Sequence, residues 1–325
     1  MKRCGFLVTA LGALVLCSTA CADPVQLVMG TGGTTGTYYP LGGAISQIVS
    51  DHSDGAVTIS AQATGASNEN INLLKNGDVD LAIVQNDIAF YAKTGSMFFK
   101  EPVKNIRAIS RLWPEPIQVA VNKDCPANSI ADFGKLRISI GAPGSGNEAN
   151  ARQIFGAYGF YEEKDGKGEY KGFEPFFLSY AETTSHFKDR QIDGFEFTTA
   201  APNSGIQEIV TTQPLKFINI DGAKRDEIIK AYPFFAPSVI PADTYQNQPK
   251  PVDTIAVQAC LFCRSDLPDD LVYTITKTMF SQLALIGEAH HKGKEIVLEK
   301  ALDGLQVEDL HPGALKYYKE VGLIK

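Results

Sequence analysis

The stretch Met29–Gly43, MGTGGTTGTYYPLGG, constrains this chain more than any other. An apolar run, Val25-Gln26-Leu27-Val28, leads into it and reads as a buried strand. The segment that leaves it places Leu41, Ala44, Ile45, Ile48 and Val49 on one helical face. Between them lie Gly30, Gly32, Gly33 and Gly36, interleaved with Thr31, Thr34, Thr35 and Thr37. Glycine lets the backbone turn sharply and lets a ligand approach it closely. Threonine adds hydroxyl donors. Pro40 suits a first helical turn, where its missing N–H costs nothing. Such a strand–loop–helix leaves free N–H groups at the positive end of a helix, and that is a place for an anion.

Two nucleotide-binding motifs look similar and are excluded. A dinucleotide fingerprint needs G-x-G-x-x-G, and Thr35 stands where its third glycine belongs. It also wants an acid at the end of the second strand, where this chain has Gln62-Ala63-Thr64-Gly65. A P-loop needs Gly-Lys-Ser/Thr, and no lysine occurs between Lys2 and Lys75.

Further along, strands and helices alternate. Val57–Ala63 reads as a strand, Ser67 to Leu74 as a helix ended by Asn76-Gly77, Asp78–Gln85 as a strand and Asp87–Ala92 as a helix. The pattern then repeats. Arg137-Ile138-Ser139-Ile140 leads into Gly141-Ala-Pro-Gly144-Ser145-Gly146-Asn147-Glu148, and a helix follows through Tyr158. Ser145 and Glu148 have the spacing of a capping box. Phe187–Thr198 echoes Leu74–Gln85: helix end, turn, apolar–Asp, strand, polar tip. Two copies of one order predict an α/β protein of two similar lobes, with mostly parallel sheets flanked by helices. Ile117–Val121 and Thr254–Leu261 read as strands crossing between the lobes, which makes a two-strand hinge. The expected division is 1–22 signal peptide, 23–118 with 258–325 as lobe I, and 119–257 as lobe II.

Other expectations are local. Ser129–Leu136 reads as a short capped helix, Pro214–Pro251 as loop with helical Asp226–Ala231, and Gly313–Val321 as a last helix. Pro268 opens what reads as the longest helix, carrying Leu271, Ile275, Met279, Leu283 and Ile286, with His290-His291 facing solvent at its charged end.

Ligands of open α/β sheets bind outside the carboxyl ends of the strands. At that edge each lobe presents a glycine-rich helix start and a polar strand tip. The expected cleft is lined by Gly33, Thr34, Thr37, Tyr38, Tyr39, Gln85, Ser145, Gly146, Asn147, Thr198 and Thr199. Arg111, near the first crossing, is added as a carboxylate clamp, because a guanidinium binds a carboxylate in bidentate fashion. The bland alternative is an exposed arginine paired with Glu115 or another acid.

The chain has 325 residues and a formal net charge of −7. The acidic balance argues against nucleic acid as a partner. Lys2-Arg3, an apolar run from Phe6 to Leu16 and Ala20-Cys21-Ala22 form a secretory signal peptide cleaved near Ala22. Lipidation at Cys21 is the alternative. No later stretch approaches the ~20 apolar residues of a membrane span. Export would remove Cys4, Cys17 and Cys21 and leave Cys125, Cys260 and Cys263. Cys260-Leu-Phe-Cys263 lies in a strand-like run, where positions i and i+3 face opposite ways, so these cysteines read as core. A bridge from Cys125 to one of them stays open. No histidine or carboxylate cluster suggests a metal, and no cofactor is expected. Pro143-Gly-Ser-Gly-Asn147 is not the G-x-S-x-G of a nucleophile turn, so Ser145 reads as a cap and ligand donor. No enzymatic activity is expected.

The combination of MGTGGTTGTYYPLGGAIS, DLAIVQND, IGAPGSGNEANA and RQIDGFEFTTAAPN resembles the TAXI-type substrate-binding proteins of tripartite ATP-independent periplasmic (TRAP) transporters. The resemblance runs through nearly the whole mature chain, including VYTITKTMF and HPGALKYYKEVG. It implies a two-lobed, monomeric periplasmic receptor that closes on an organic acid or amino acid. It further implies delivery to membrane permease subunits driven by an ion gradient, with Thr34 to Tyr39, Gln85 and Ser145 as ligand loops. The two helix starts suggest a dicarboxylate such as 2-oxoglutarate, succinate or glutamate. A sensory receptor feeding a membrane signalling partner is the rival reading.

Overall fold

The computed structural model describes residues 23–164 and 167–325. The signal-peptide reading, with Cys4, Cys17 and Cys21, falls on residues 1–22 and lies outside the described residues. In chain order the elements are β1 (Val25–Gly30), α1 (Tyr38–His52), β2 (Val57–Gln62), α2 (Ser67–Asn76), β3 (Leu81–Gln85), α3 (Asn86–Thr94) and β4 (Ile106–Asn122). There follow β5 (Arg137–Ser139), α4 (Gly146–Ala157), β6 (Tyr161–Lys164), β7 (Lys167–Tyr170), β8 (Glu174–Phe176), α5 (Tyr180–Lys188), β9 (Gly194–Thr198) and α6 (Ser204–Thr212). The chain ends with β10 (Leu215–Ile218), α7 (Gly222–Ala231), β11 (Ala236–Ile240), β12 (Val252–Arg264), α8 (Asp269–Ser281), α9 (Leu283–Ala289) and α10 (Pro312–Glu320).

One mixed sheet runs in the order β2-β1-β3-β12-β4-β9-β5-β8, with β10 beside β4 and β11 beside β12. The outer strands of each half pair in parallel, as strand–helix–strand units require. The middle is antiparallel, because β4 and β12 pass each other along most of their lengths. β4 first pairs with β12 and then, from Ile117 to Val121, with β9. The same two strands therefore belong to both halves.

Packing divides at the same place. The largest core takes Leu27, Leu41, Ile45, Ile71, Ile83, Trp113, Leu261, Met279 and Tyr318. In the second half, alternate residues of β4 face opposite ways. Ile117, Val119 and Val121 pack with Ile138 and Phe155, while Ala120 packs with Phe195, Phe197 and Ile206. Leu41, Ile45 and Val49 of α1 are fully buried at spacing four, so truncating any one to alanine should cost about 2–5 kcal/mol.

Several elements differ from the sequence reading. β4 starts at Ile106 rather than Ile117. Pro114 and Pro116 hide it, since proline cannot donate to a ladder. The chain accommodates them beside a register shift between Ala259 and Cys260 of β12, where Leu112 is the extra residue. The helix opened by Pro268 breaks at Gln282 (φ −113°, ψ 22°), so α1, at 15 residues, is the longest. Pro214–Pro251 is more ordered than its prolines suggest, holding β10, α7 and the edge strand β11. The helix expected over Ser129–Leu136 shrinks to one 3-10 turn, Ile130–Asp132, with Ser129 and Asp132 forming its capping box. Cys125, Cys260 and Cys263 are free thiols; Cys125 packs on a core of the second half, and the other two are buried in the first.

Candidate ligand-binding cleft

The first wall starts where β1 ends. Thr31 is buried and its hydroxyl donates to Gln62 O at 2.6 Å. Asn70 of α2 donates to Thr31 O (2.7 Å) and Ile83 O (2.8 Å), tying the tips of β1 and β3 together. Gly30 is needed for that clamp, because a Cβ there would lie 2.9 Å from Asn70 Oδ1. The loop turns at Gly33–Gly36, where Gly36 N donates to Gly33 O at 2.9 Å. α1 then begins with no side-chain cap: Thr37 is already helical (φ −75°, ψ −30°). The N–H groups of Tyr38 and Tyr39 thus have no intrahelical partner.

The second wall uses the same device differently. Gly141 has φ +92°, and a Cβ there would lie 2.7 Å from Asn147 Nδ2. Ser145 caps α4, its hydroxyl accepting from Glu148 N at 3.1 Å. The expected capping box forms only half: Glu148 accepts from Gly144 N (3.2 Å) and from Arg152 Nε (2.5 Å) instead of reaching back to Ser145 N. Asn147 Oδ1 accepts from Thr198 N (2.7 Å), and its Nδ2 donates to Glu196 Oε2 (2.5 Å). Thr198 Oγ1 donates to Glu196 Oε1 at 2.7 Å. Asn147 and Thr198 therefore spend their side chains on fixing β9 to α4.

Between the walls is a cavity of about 250 Å³. Gly33, Thr34, Thr37, Tyr38, Gln85, Ser145, Gly146, Asn147, Thr198 and Thr199 all line it. Two residues expected there do not. Tyr39 is 37 % exposed and points outside the lining. Arg111 is buried on β4, its Nε donating to Gln258 Oε1 (2.8 Å) and one terminal nitrogen to Leu112 O (3.2 Å) and Glu295 O (3.0 Å). It does not line the cavity and makes no salt bridge to Glu115, which accepts from Tyr38 instead, so the carboxylate clamp and the exposed Glu115 pairing are both corrected.

The cavity also holds residues that the sequence reading missed. Tyr180 of α5 lines it and donates to Thr198 O at 2.5 Å. Ser67 accepts from Gln85 N at 3.1 Å. Glu115 is the main omission. It is 2 % exposed and accepts from Tyr38 Oη at 2.7 Å. Burial pushes its carboxyl up to about 8, against the lowering by Tyr38, Gln85 and Trp113. Burial, then the nearby Glu115 charge, holds the Tyr38 phenol well above its usual range. Glu196, fully buried behind the second wall, is also pushed up to about 8 by burial. An acid at the core of an otherwise apolar strand was the available signal for Glu115, since such residues are almost never fully buried unless paired.

Among the described residues no lysine, arginine, histidine or cysteine lines this cavity. Its lining offers helix N-termini, hydroxyls and the Glu115 carboxyl. The walls touch. Thr37 Oγ1 and Thr199 Oγ1 are 3.5 Å apart, and Ser204 Oγ donates to Thr35 O at 3.0 Å. A Cβ on Gly146 would lie 1.7 Å from Gln85 Oε1. Among the described residues no cluster of three metal-ligating side chains occurs, and no helix is long and apolar enough to cross a membrane.

An α/β sheet bent around a cleft at its strand ends is the architecture of periplasmic binding proteins, and solved structures of that class superpose on this one. The chain is similar to the periplasmic binding protein BugD (TM-score 0.55, 13 % identity, 93 % of this chain and 98 % of that one). It is similar to a protein from Bordetella bronchiseptica RB50 (TM-score 0.52, 16 % identity, 91 % and 89 %). It is also similar to the alkanesulfonate-binding protein SsuA from Xanthomonas axonopodis pv. citri bound to MOPS (TM-score 0.50, 13 % identity, 91 % and 83 %). By sequence, residues 29–322 match the model of the NMT1-like family, and the chain belongs to that family.

Proposed function

We propose that this protein is an exported solute receptor that closes two lobes on a small organic carboxylate. The observation that carries the reading is the cavity itself: two glycine-rich helix starts from opposite halves line one cleft that, among the described residues, has no basic side chain. Backbone N–H groups and a helix dipole suit an anion without a fixed positive charge. Dicarboxylates such as 2-oxoglutarate, succinate and glutamate match the two starts. The SsuA relative binds an organic anion, which agrees with this class of ligand. The lobes are taken as 23–118 with 258–325, and 119–257, hinged on β4 and β12. The twelve residues named from sequence, less Tyr39 and Arg111, form the proposed site, with Glu115 and Tyr180 added.

Glu115 acts as an acid in this site. Held neutral near pH 7, it donates its proton to a ligand carboxylate while accepting from Tyr38. Export through a cleaved signal peptide rests on Lys2-Arg3, the apolar run Phe6–Leu16 and Ala20-Cys21-Ala22, and delivery to a TRAP permease rests on the TAXI resemblance; a large multi-span permease gene beside this one would support that partner over a signalling kinase. The scheme contains no catalytic step; Ser145 serves as a helix cap, its hydroxyl accepting from Glu148 N. Mass spectrometry of ligand released from denatured, purified protein tests the proposal. A small carboxylic acid at near one equivalent is expected. A sugar, a metal chelate or an organic cation would refute it.

A further inference from the structure

Below the cavity, α3 of the first half meets α4 of the second. Asp87, in the first turn of α3, is fully buried, and so is Asn150, one turn beyond Asn147 on α4. Asn150 Nδ2 donates to Asp87 Oδ2 at 2.7 Å. The two remaining oxygens, Asp87 Oδ1 and Asn150 Oδ1, are both buried and both lack a partner. Two orphaned acceptors on facing groups are costly, and a buried unpaired polar atom is rare in folded proteins. One proton satisfies both. With a hydrogen on Oδ1, the Asp87 carboxylic acid donates to Asn150 Oδ1 while accepting from its Nδ2, which closes an acid–amide ring. Among the described residues no donor reaches Asn150 Oδ1, so the hydrogen that bridges to it comes from solvent as the lobes close. The contact next to it also joins the lobes: Gln153 Nε2 of α4 donates to Tyr91 Oη of α3 at 2.5 Å.

We propose that Asp87 and Asn150 form a proton-dependent latch that holds the two lobes closed. The ionisable groups around Asp87 are Tyr91 on its own helix, Glu115 on β4 and Cys260 on β12, with Tyr232 from the second lobe behind Tyr91. All are neutral or acidic, and none supplies a cation to hold Asp87 ionised. Burial raises its carboxyl from 3.8 to about 7, against the lowering by the Asn150 amide and backbone N–H groups. The sign follows. A raised closed-state value means that closing takes up a proton between the open-state value near 4 and about 7, and that the latch is lost as pH rises through that window. One proton changes the closing constant by about tenfold per pH unit there, so closing should be on the order of a hundredfold more favourable at pH 5 than at pH 8.

The inference rests on the proposed closing of the lobes, but its test uses no ligand. Small-angle scattering of the dialysed protein is compared at pH 5 and pH 8, with thermal melting to confirm folding at both. The wild type should be more compact at pH 5. Asp87→Asn copies the protonated acid, since its amide both donates to and accepts from Asn150, and should be compact at both values. Asn150→Leu should be expanded at both. Equal radii for wild type at the two pH values overturn the latch. So does a pH response that survives in Asp87→Asn and disappears in Glu115→Gln, which would place the proton in the cavity instead. Either failure leaves the receptor reading standing on the released-ligand experiment.

Discussion

The two glycine-rich helix starts were built from the same sequence idea and ended up unlike. α4 is closed off by its own side chains: Ser145 serves Glu148 N, Glu148 serves Gly144 N, and Asn147 is tied to β9. α1 has no cap, and the Thr37 hydroxyl turns across the cleft toward Thr199. The difference is that the α4 start is satisfied by its own side chains, while the α1 start keeps backbone donors free. In the proposed receptor, one ligand carboxylate would complete the uncapped α1 start, and α4 would close over the other end of the ligand.

That asymmetry can be broken most severely at Gly146. A leucine there has no room beside Gln85 in the closed form, while each lobe keeps its own core. Overpacking costs about 1–3 kcal/mol, and here it falls on closure, so affinity for the released acid should drop roughly tenfold to a hundredfold or more. Calorimetric titration showing an unchanged dissociation constant would mean that the lobes do not meet at this glycine.

Next in size is Ser145→Asp. Aspartate also caps helices well, so melting should change little. Its charge would sit in a site only 8 % exposed and repel the anion, at a cost on the order of 1–3 kcal/mol, or roughly tenfold to a hundredfold in affinity. Thr34→Asp, placed on the exposed rim of the opposite loop, should weaken binding less, and Ser129→Asp, in the second lobe outside the cavity lining, should leave it unchanged. Equal losses at Ser145 and Thr34 would erase the distinction between a finished wall and an open one.

A smaller effect concerns pH. Glu115 has its carboxyl raised to about 8, so its neutral form dominates below that value and is lost above it. Ionisation puts a negative charge beside the ligand, and affinity should fall between pH 7 and pH 9. Glu115→Gln should flatten the profile. An affinity that rises with pH would identify an ammonium on the ligand as the group Glu115 meets.

The smallest expected effect on binding is at Arg111. Arg111→Lys should leave the dissociation constant within about twofold, yet lower stability by about 1–3 kcal/mol through lost bonds to Gln258 and two buried carbonyls. A tenfold loss of affinity would return Arg111 to the site.

Much of this was legible in the sequence for a physical reason. Glycine loops between an apolar run and an amphipathic helix are local signals, and their repetition at Gly141–Glu148 fixed the expectation of two lobes. Gln85 and Thr198 were readable as polar tips on apolar strands. Arg111 was misplaced because a lone arginine carries no local information about its partners; Gln258 and Glu295 lie far along the chain. Glu115 was missed because Pro114 and Pro116 disguised its strand as a loop. Asn70 and Tyr180 act through contacts with the tips of other strands, which only the folded sheet brings near.

The central claim is that an organic acid lies between these two helix starts. A crystal structure of the protein with its released acid tests it most directly. The account predicts a carboxylate within hydrogen-bond distance of the Tyr38 N–H group, with Gly146 and Ser145 closing over the ligand and Glu115 beside it. A ligand bound outside this cavity, or one whose carboxylate is held by an arginine or lysine, would contradict it.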